Sequence, residues 1–596
     1  MSETYRKRDR FWKFIFPHYK QQQPQNDNYY NKNKSKNSIN PVHRDSEQKS
    51  KINSLQNYAK KNFSITLDPE LFESILENNN WDSKQSIIDL TDYEEASHGI
   101  LVEPPRTPDR LLLGSENDGG TSCYIDALLF AMFIANTAFD PLLTYDIPTT
   151  EEEDEKKTKL QMLLRLFVNK LRKGHIIKAD YVHWFRKVLQ EVNWNGKDGQ
   201  GQWTQEDASE LFLFITETFD LPYLPFQIRL FHGGNKDKDD DRVMTDRTLT
   251  LSIPDDDSIK EVKLQDILVD YFYNNIITGV MRHIDDNFIL SENVAASPTV
   301  QTYSNNKIMY SDNNDFVSSM TRDEKYTLKK LLEKSDGNDH QELEVPVTAW
   351  QVLELLPFYS ATNEQGEAIE TQLDSSFPDT HMILPIVLKR YRYDPKTGNS
   401  TKMKKRVEVP VTIDFNKFVN QNVEDPMCPI CGHLVNWTLH FKSAVCHLGN
   451  SPYSGHYISY ARITTDNNNN VEDSFWLKFD DMNTENRVMQ IINDEDDKNP
   501  SIQQIKEDLS ENAYILFYEL DKTCHHPPLP PYYSSNEDDE EEESIHTKDD
   551  FKPSIDQREN YTNKKKSKSR HRRRHQHHRH HFNERSSRLK DSCRIM

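Results

Sequence analysis

The sequence predicts an α+β protein whose helices and strands occupy different parts of the chain. Apolar residues recur at helical spacing from 122 to 220, and alternation of apolar and polar residues indicates strands at 225–252 and 380–520. A further helical pattern occupies residues 50–97. Segregated helices and strands are typical of a domain in which a helical layer packs on a sheet.

Composition favours one packed domain flanked by disordered segments. Of the 596 residues, 35% are hydrophobic and 29% are charged, and the formal net charge is −22. The chain contains no run of about 20 apolar residues, so no transmembrane helix is expected. The N-terminal sequence lacks the apolar core and cleavage site of a secretory signal, and six scattered cysteines do not suggest a disulfide framework. We therefore expect an intracellular, cytoplasmic protein.

These patterns divide the chain into four segments. Residues 1–48 form a polar, basic arm and residues 522–596 form a tail, and both are expected to be disordered. Residues 50–97 form a small helical domain. Residues 98–521 form the main α+β domain, in which the polar stretch 290–340 is expected to be a flexible insertion.

The segment at 50–97 divides into three short amphipathic helices. Asp68-Pro69 and Asp82-Ser83 are good helix starts, because a capping side chain precedes a residue suited to the first turn. The phrase LENNNWDSKQSIIDL resembles the last half of a ubiquitin-associated (UBA-like) three-helix domain. The resemblance implies a ubiquitin-binding module; the alternative is a helical segment without a ligand.

Cys123 lies where a tight turn meets an apolar helix. It belongs to the run GGTSCYIDALLFAMF at 119–133, in which the glycines suit a turn and Thr121 and Ser122 are good capping residues. The thiolate is the reactive form of cysteine, and the N–H groups and dipole at a helix N-terminus favour an anion. Cys123 is therefore a candidate nucleophile, although a single cysteine in an apolar run is more often a buried hydrophobic side chain.

Two later motifs supply an imidazole and a carboxylate. His456 stands in SGHYISYAR, before a strand-like run, and Asp480 ends a second strand-like run, FWLKF, and is followed by Asp481. Thiol, imidazole and carboxylate are the parts of a nucleophilic hydrolase that forms an acyl-enzyme. Each motif is weak alone, but their order within one domain makes Cys123, His456 and Asp480 the predicted catalytic residues.

Six motifs in this order resemble those of the ubiquitin-specific proteases, a family of papain-like cysteine deubiquitinases. They are GGTSCYID at 119–126, QEDASEL at 205–211, LPIVLKRY at 384–391, VCHLGNSPYSGHYISY at 445–460, WLKFDD at 476–481 and AYILFY at 513–518. The S-C-Y-x-D form of the first motif resembles the cylindromatosis-type branch. The resemblance implies a papain-like fold with a helical thumb and a β-sheet palm and fingers.

The resemblance also implies an activity. A ubiquitin-specific protease is a thiol-dependent deubiquitinase that hydrolyses isopeptide or peptide bonds at the C-terminal glycine of ubiquitin, so ubiquitin and ubiquitinated proteins are the expected partners. The counterparts of the family's substrate-binding residues are Asp207 and Glu210, with Tyr457 beside the catalytic histidine. Two alternatives stay open: an inactive ubiquitin-binding scaffold, and a protease for another ubiquitin-like modifier.

The sequence departs from the family pattern at two positions. Asp126 replaces the asparagine that most members carry three residues after the cysteine, and Asp118 replaces the amide that donates to the oxyanion. A carboxylate cannot donate unless it is protonated, and its charge opposes an oxyanion. Asn117, by a local shift, or the main-chain N–H groups at the helix start are alternative donors, and we favour the main chain; otherwise the enzyme is slow.

The motif CPICGH at 428–433 is a candidate zinc knuckle. Cys428 and Cys431 have the spacing of a thiolate pair on a tight turn, but a structural zinc site needs four ligands and the sequence offers no second pair. The residues that could complete a site are His433, His440, Cys446 and His447. No cofactor is expected to be required, and a structural zinc ion is the alternative.

The tail carries two further signals. Residues 564–581 are basic and His-rich, and Cys593 begins the final CRIM, which fits the C-a-a-X pattern for farnesylation. One prenyl chain binds membranes weakly, and a polybasic patch is the usual second signal. Together they predict a peripheral contact with a membrane surface. The alternative treats the basic run as a nuclear localisation signal or a nucleic-acid patch; no nucleic-acid partner is expected.

Overall fold

A computed structural model describes residues 41–63, 69–148, 152–256, 258–284, 343–360, 382–396, 398–420, 428, 433–451, 454–464, 474–491 and 501–524. The predicted insertion at 290–340 lies outside these residues. So do residues 1–40 of the predicted arm and residues 525–596 of the predicted tail, including Cys593.

Three helices form the N-terminal bundle. They are α1 (Pro41–Phe63), α2 (Pro69–Asn78) and α3 (Ser83–Ser97). Apolar side chains at helical spacing meet between them, as the amphipathic pattern indicates. The bundle core consists of Leu55, Ala59, Phe72, Ile75, Leu76 and Leu90.

The bundle differs from the sequence prediction at its start. Residues 41–48, predicted to be disordered, belong to α1. A polar helix can extend in this way when charged side chains pair one turn apart, as Lys51 does with Glu47 at 3.1 Å. The predicted start of α3 is present, because Asp82 Oδ1 accepts from the backbone N–H of Lys84 at 2.8 Å.

A helical lobe follows the bundle. It contains α4 (Cys123–Phe133), α5 (Pro141–Thr144), α6 (Glu152–Lys173), α7 (Ala179–Glu191) and α8 (Ala208–Thr218). Every side chain of α4 is buried, so this helix lies at the centre of the lobe. None of the helices in the described ranges is both long enough and apolar enough to cross a bilayer.

Buried charges join the bundle to the lobe. Lys170 of α6 has a side chain that is only 4% exposed, and it lies 2.6 Å from Asp89 and 3.1 Å from Asp92 of α3. Lys173 at 3.0 Å and His175 at 2.8 Å complete the surroundings of Asp92. Since each buried charge has opposite partners, the bundle packs on α6 as a fixed part of the helical lobe.

The described strands come after the helical lobe. They are β1 (Leu224–Phe231), β2 (Asp241–Asp246), β3 (Leu249–Ser252), β4 (Glu261–Lys263), β5 (Asn275–Ile284), β6 (Leu343–Leu355), β7 (Met382–Lys389), β8 (Tyr391–Asp394), β9 (Asn399–Lys402), β10 (Arg406–Glu408), β11 (Thr412–Asp414), β12 (Asn436–Ser451), β13 (Ser454–Thr464), β14 (Ser474–Phe479), β15 (Val488–Ile491) and β16 (Ala513–Thr523). β16 therefore continues past the predicted domain end at 521.

The strands form one large sheet and three smaller ones. The central sheet has the order β15-β14-β13-β12-β16-β7-β3, with β11 also paired to β12. Its neighbours are antiparallel except β3 and β7, which are parallel. A second sheet has the order β2-β1-β6-β5, and β4 with β10 and β8 with β9 form two-stranded pairs. One face of the central sheet packs on the helical lobe, and the other face has its own core.

Two helices of the described ranges interrupt the strand-rich part of the chain. They are α9 (Leu264–Tyr273) and α10 (Ile502–Asn512). The second falls within 380–520, where alternation predicts strands, so that part of the prediction is wrong. Ser501 Oγ accepts from the N–H of Gln504 at 3.2 Å, and Gln504 Oε1 accepts from the N–H of Ser501 at 3.0 Å. This reciprocal cap starts a helix locally, whatever the surrounding pattern.

Two hydroxyl groups fix α4 on the central sheet. Ser459 of β13 donates to the carbonyl of Ala127 at 2.5 Å, and Ser443 of β12 donates to the carbonyl of Ala131 at 2.5 Å. All four groups are buried, so neither hydrogen bond competes with water. The position of the helix relative to β12 and β13 is therefore set on one face by packing and at two points by hydrogen bonds.

We predict that Asp92→Asn destabilises the protein by on the order of 3 kcal/mol, because it leaves the buried Lys170 with one partner fewer. Burial alone would raise the pKa of Asp92, but the hydrogen bond with His175 and the charges of Lys170 and Lys173 lower it from 3.8 to about 2. This stabilisation is present above pH 4 and is lost as the pH falls through about 2. Urea unfolding at pH 7 and at low pH measures both effects.

The control is Glu191→Gln, which removes an exposed pair with Lys159 at 2.5 Å. The Glu191 side chain is 44% exposed, so its loss should cost less than about 1 kcal/mol. Equal unfolding free energies for the two variants would contradict the buried-charge account.

Candidate active site

Cys123 is the first residue of α4 and is 1% exposed. The predicted cap by the Ser122 side chain is absent. Ser122 Oγ instead accepts from the backbone N–H of Asp118 at 2.8 Å and donates to Asp126 Oδ2 at 2.7 Å. These bonds hold the turn before the helix, and they leave the first N–H groups of α4 without a side-chain acceptor from Ser122.

β13 and β14 bring the imidazole and the carboxylate to the same end of the sheet. Their antiparallel register pairs Ser459 with Phe479, so His456 and Asp480 lie near neighbouring strand ends. His456 Nε2 lies 2.8 Å from Asp480 Oδ1. The backbone N–H of Tyr457, next to the histidine, points at the sulfur of Cys123. The structure thus joins His456 and Asp480 by a hydrogen bond and places Cys123 beside the main chain of the residue that follows His456.

The residue before His456 must be glycine, because β12 packs closely against it. Gly455 has a φ of 149°, and a Cβ atom at this position would lie 2.7 Å from His447 Nε2 and 2.7 Å from the carbonyl oxygen of Leu448. No side chain fits between these neighbouring strands. The conformation of the residue before His456 is therefore available only to glycine.

The charges around the thiol favour its protonated form. Burial and the charge of Asp481 raise the pKa of Cys123 to about 12, against the opposing effect of the Tyr457 N–H. Burial alone would lower the pKa of His456, but the hydrogen bond with Asp480 and the charges of Asp481 and Asp480 raise it above its ordinary value. The sequence suggested that the helix N-terminus favours the thiolate. In the structure, burial and the charge of Asp481 outweigh that effect, so a base is needed to remove the thiol proton.

Asp118 is engaged by two side chains of α7. Its Oδ2 accepts from Arg186 Nη1 at 3.1 Å and lies 3.0 Å from His183 Nδ1. Burial alone would raise the pKa of Asp118, but the hydrogen bonds and charges of His183 and Arg186 lower it overall. An ionised carboxylate cannot donate to an oxyanion. Its observed role is to fasten the turn before α4 to α7.

Asn117, the alternative side-chain donor, is also engaged. Its Nδ2 donates to Asp481 Oδ2 at 2.6 Å. Asp118 is ionised and one N–H of Asn117 is used by Asp481, whereas the first main-chain N–H groups of α4 have no side-chain acceptor from Ser122, so we favour the main chain as the oxyanion donor.

Two of the three predicted substrate-binding residues flank the start of α8. Asp207 is the N-cap of this helix, accepting from the N–H of Ser209 at 2.6 Å and from the Tyr514 hydroxyl at 2.6 Å. Glu210 is exposed on the first turn. Burial, followed by the charges of Asp207 and Glu206, raises the pKa of Glu210. The result is a concentration of negative charge suited to a basic peptide.

The prediction for Tyr457 needs a correction. Its side chain is 1% exposed and stacks on His447 with ring centroids 4.3 Å apart. The aromatic ring therefore belongs to the core between the central sheet and the helical lobe, and only the main chain of this residue can face a substrate.

The structure adds residues that sequence reasoning missed. His183 and Arg186 have no sequence signal, because their partner Asp118 is 65 and 68 positions away. Arg186 also lies over the ring of Trp203, 4.5 Å from its centroid. The contact between Asp126 and Asp481 was missed for the same reason, although the unusual Asp126 was the visible clue.

The predicted zinc knuckle is only partly described. Cys428 is buried and its N–H donates to the carbonyl of His433 at 2.8 Å, whereas Cys431 lies outside the described residues. Cys446 is fully buried in β12, and the His447 ring is hydrogen bonded to Tyr391. Ligand atoms of His456, Asp480 and Asp481 lie within 4.8 Å of one another, but His456 and Asp480 are already hydrogen bonded to each other.

The family model for ubiquitin carboxyl-terminal hydrolase matches residues 113–518. The chain belongs to this family, and it is a thiol-dependent cysteine deubiquitinase. The predicted function is thus confirmed, as is the mixed helix-and-sheet fold of a papain-like catalytic domain. The comparison with curated proteins gave no match.

Solved structures of one deubiquitinating assembly are similar to this chain at low identity. The SAGA Ubp8/Sgf11/Sus1/Sgf73 DUB module bound to ubiquitin aldehyde is 14% identical, with a TM-score of 0.40, and the match covers 74% of this chain and 76% of that chain. The module with a Ubp8 variant bound to monoubiquitin is 15% identical, with a TM-score of 0.38 and the same coverage of 74% and 76%. A yeast module with an Sgf73 variant is 14% identical, with a TM-score of 0.38 and coverage of 74% and 75%.

We predict that Asp480→Ala lowers kcat/KM about 100-fold or more, because the imidazole loses both its orienting hydrogen bond and a nearby negative charge. Asp480 raises the pKa of His456, so its removal shifts the acidic limb of the pH–rate profile to lower pH. Steady-state cleavage of a ubiquitin fluorogenic substrate across the pH range measures both effects.

Glu485→Ala is the matched control, since it removes an exposed acidic side chain from the same loop. It should leave the position of the acidic limb in place. An acidic limb that stays fixed in Asp480→Ala would show that this carboxylate does not act through His456.

Proposed function

We propose that this deubiquitinase hydrolyses isopeptide and peptide bonds at the C-terminal glycine of ubiquitin with Cys123 as nucleophile, His456 as acid and base, and Asp480 as the residue that orients the imidazole. The observation that carries this proposal is the 2.8 Å contact between His456 and Asp480. The residue after His456, Tyr457, directs its main-chain N–H at the Cys123 sulfur. This arrangement supports a thiol–imidazole–carboxylate mechanism.

Acylation begins with proton transfer from the Cys123 thiol to His456. Because His456 Nε2 contacts Asp480, Nδ1 is the nitrogen that takes this proton. The sulfur then bonds to the carbonyl carbon of the terminal glycine, and the carbonyl oxygen becomes an oxyanion held by main-chain N–H groups at the start of α4. His456 returns the proton to the departing amine as the C–N bond breaks, which leaves a thioester.

Deacylation reverses these roles. His456 takes a proton from water, and the water oxygen bonds to the thioester carbonyl. Collapse of this second intermediate breaks the C–S bond and releases the glycine carboxylic acid, which loses its proton to solvent and becomes the carboxylate. The proton held by His456 returns to the Cys123 sulfur, so the enzyme ends in its starting state with a thiol, as the raised pKa of Cys123 requires.

The acidic start of α8 supports recognition of a basic peptide tail. Asp207 is committed to the helix cap and to Tyr514, so it builds the site rather than presenting a free charge. Glu210 is the exposed carboxylate at this position. We therefore assign ionic contact with the ubiquitin tail chiefly to Glu210 and the support of that contact to Asp207.

The finer assignments are proposals with local support. Asp126 in the cysteine motif supports membership of the cylindromatosis-type branch. The three-helix order and the Asp82 cap of α3 support a UBA-like bundle. Asp89 and Asp92 of α3 already pair with Lys170 of α6, so this part of the bundle surface is covered. We therefore do not propose that the bundle binds ubiquitin. Superposition of an experimental structure of the bundle on known UBA domains tests the assignment.

We predict that a ubiquitin–propargylamide probe forms a covalent adduct with the full chain and that Cys123→Ser abolishes it. Cys524→Ser is the control, because Cys524 is the most exposed of the described cysteines and should not matter to a buried nucleophile. Mass spectrometry of the intact protein measures the adduct. The proposed mechanism needs no cofactor, so a zinc chelator should leave adduct formation unchanged.

Each alternative has its own outcome in this assay. No adduct under reducing conditions favours an inactive ubiquitin-binding scaffold. Adducts with a probe built on another ubiquitin-like protein, but not with ubiquitin, favour a different modifier. Loss of the adduct on chelation reopens the question of a structural zinc ion at Cys428 and Cys431.

We also propose a cytoplasmic protein whose tail reaches a membrane surface through a prenylated Cys593. The CRIM ending and the basic run at 564–581 support this, and both lie outside the described residues. Cys593→Ser should move the protein from the membrane to the soluble fraction of a cell lysate, and Ser592→Ala should not. An unchanged distribution in Cys593→Ser contradicts prenylation, and a nuclear location lost with the basic run supports the alternative signal.

A further inference from the structure

Two buried carboxyl groups meet beneath the nucleophile. Asp126, on the first turn of α4, is 0% exposed, and Asp481, immediately after Asp480, is 2% exposed. Their side chains are within hydrogen-bond reach of each other. Neither residue has a direct role in the mechanism above, yet both lie close enough to Cys123 for their charges to affect its pKa.

The hydrogen bonds of these two side chains leave one oxygen of each without a donor. Asp126 Oδ2 accepts from Ser122 Oγ at 2.7 Å, and Asp481 Oδ2 accepts from Asn117 Nδ2 at 2.6 Å. Asp126 Oδ1 and Asp481 Oδ1 are both buried and lack a donor. Two ionised carboxylates repel each other and cannot form a hydrogen bond, whereas one shared proton satisfies both oxygens.

We propose that Asp126 is a protonated carboxylic acid that donates a hydrogen bond to ionised Asp481 and thereby acts as a positioning residue for the segment Asp480–Asp481. The bond ties the Cys123 helix to the segment that carries the orienting carboxylate. This inference rests on the proposed function for the catalytic roles, but the protonation of Asp126 is a separate claim.

The surrounding groups decide which carboxyl keeps the proton. Asp481 Oδ1 lies 3.8 Å from His456 Nε2, and its other oxygen accepts from Asn117, so this carboxylate has partners that stabilise its charge. Burial raises the pKa of Asp481 to about 6. Asp126 is contacted by the hydroxyl groups of Ser122 and Ser115 rather than by a cation, and burial and the charge of Asp481 raise its pKa well above its ordinary value. The proton therefore stays on Asp126.

Every packed element contributes to this balance. The groups that face the pair are Cys123 and Ser122 at the start of α4, Ser115 and Asn117 in the segment before it, His456 on β13, and Asp480 after β14. Of these, only His456 can carry a positive charge, and it lies on the Asp481 side. Loss of the shared proton would place two negative charges beside Cys123 and oppose thiolate formation.

The protonated acid replaces an amide in chemical terms. The asparagine expected at this position of the cysteine motif would donate through its N–H₂ group, and a carboxylic acid donates through its O–H group. The aspartate therefore keeps the hydrogen bond only while it stays protonated. Position 126 therefore requires a side chain that donates a hydrogen bond to Asp481 and that carries no negative charge.

The test compares Asp126→Asn with Asp126→Leu in the full chain. The side chains are similar in size, but only asparagine can donate to Asp481. We expect kcat/KM for ubiquitin cleavage to be at least about tenfold lower in D126L than in D126N, since a buried acceptor without a donor is costly. Infrared spectra of the wild type at pH 8 should show the carbonyl band of a buried carboxylic acid, and D126N should lose that band. Asp82→Asn, a change at the exposed cap of α3, should keep it.

The infrared result does not depend on turnover, so it separates failure of this inference from failure of the catalytic assignment. A wild-type spectrum without the band, or a band that persists in D126N, overturns the protonated state even if the enzyme is active. Equal activity of D126N and D126L overturns the positioning role. If D126L does not fold, the infrared comparison of the wild type with D126N still decides whether the proton is present.

Discussion

The position of α4 on the central sheet is the constraint on which the active site depends. Ser459 and Ser443 donate from β13 and β12 to carbonyls of this helix, at Ala127 and Ala131. These bonds are buried, and they fix both the rotation of the helix and its distance from β13. Since Cys123 begins the helix and His456 lies near the start of β13, the same packing that forms the core also places Cys123 at the end of the sheet that carries His456.

Burial of the Cys123 thiol raises its pKa, and the residues around His456 offset this effect by raising the pKa of the imidazole. A thiol removed from water, with Asp481 nearby, resists ionisation, so a resting thiolate is not available. His456 compensates because two carboxylates raise its pKa and one of them orients the ring. The ion pair between Asp118 and Arg186 supports the same site from the other side, by holding the turn before α4 against α7. Catalytic competence therefore depends on charges that come from separate elements.

The N-terminal bundle belongs energetically to the helical lobe. Lys170 is buried between carboxylates of α3, and Arg165 of α6 donates to the carbonyl of Ala96 at 2.7 Å. Such groups would be left without partners if the bundle separated, which is costly for charges. α6 in turn contacts α4 through Arg172, which donates to the carbonyl of Phe133 at 3.0 Å. A segment that resembles an independent module in sequence is thus part of the support of the Cys123 helix.

The sequence by itself determined the fold class and the order of the motifs, and it made Cys123, His456 and Asp480 the predicted catalytic residues, because these inferences depend on residue type and local pattern. It also determined the capped start of α3. Only the tertiary structure decided that Asp118 is paired with Arg186, that the ring of Tyr457 is buried, and that Asp126 meets Asp481. Each of these depends on a partner far away in the chain, and the charge state of a buried group is set by such neighbours rather than by its own sequence context.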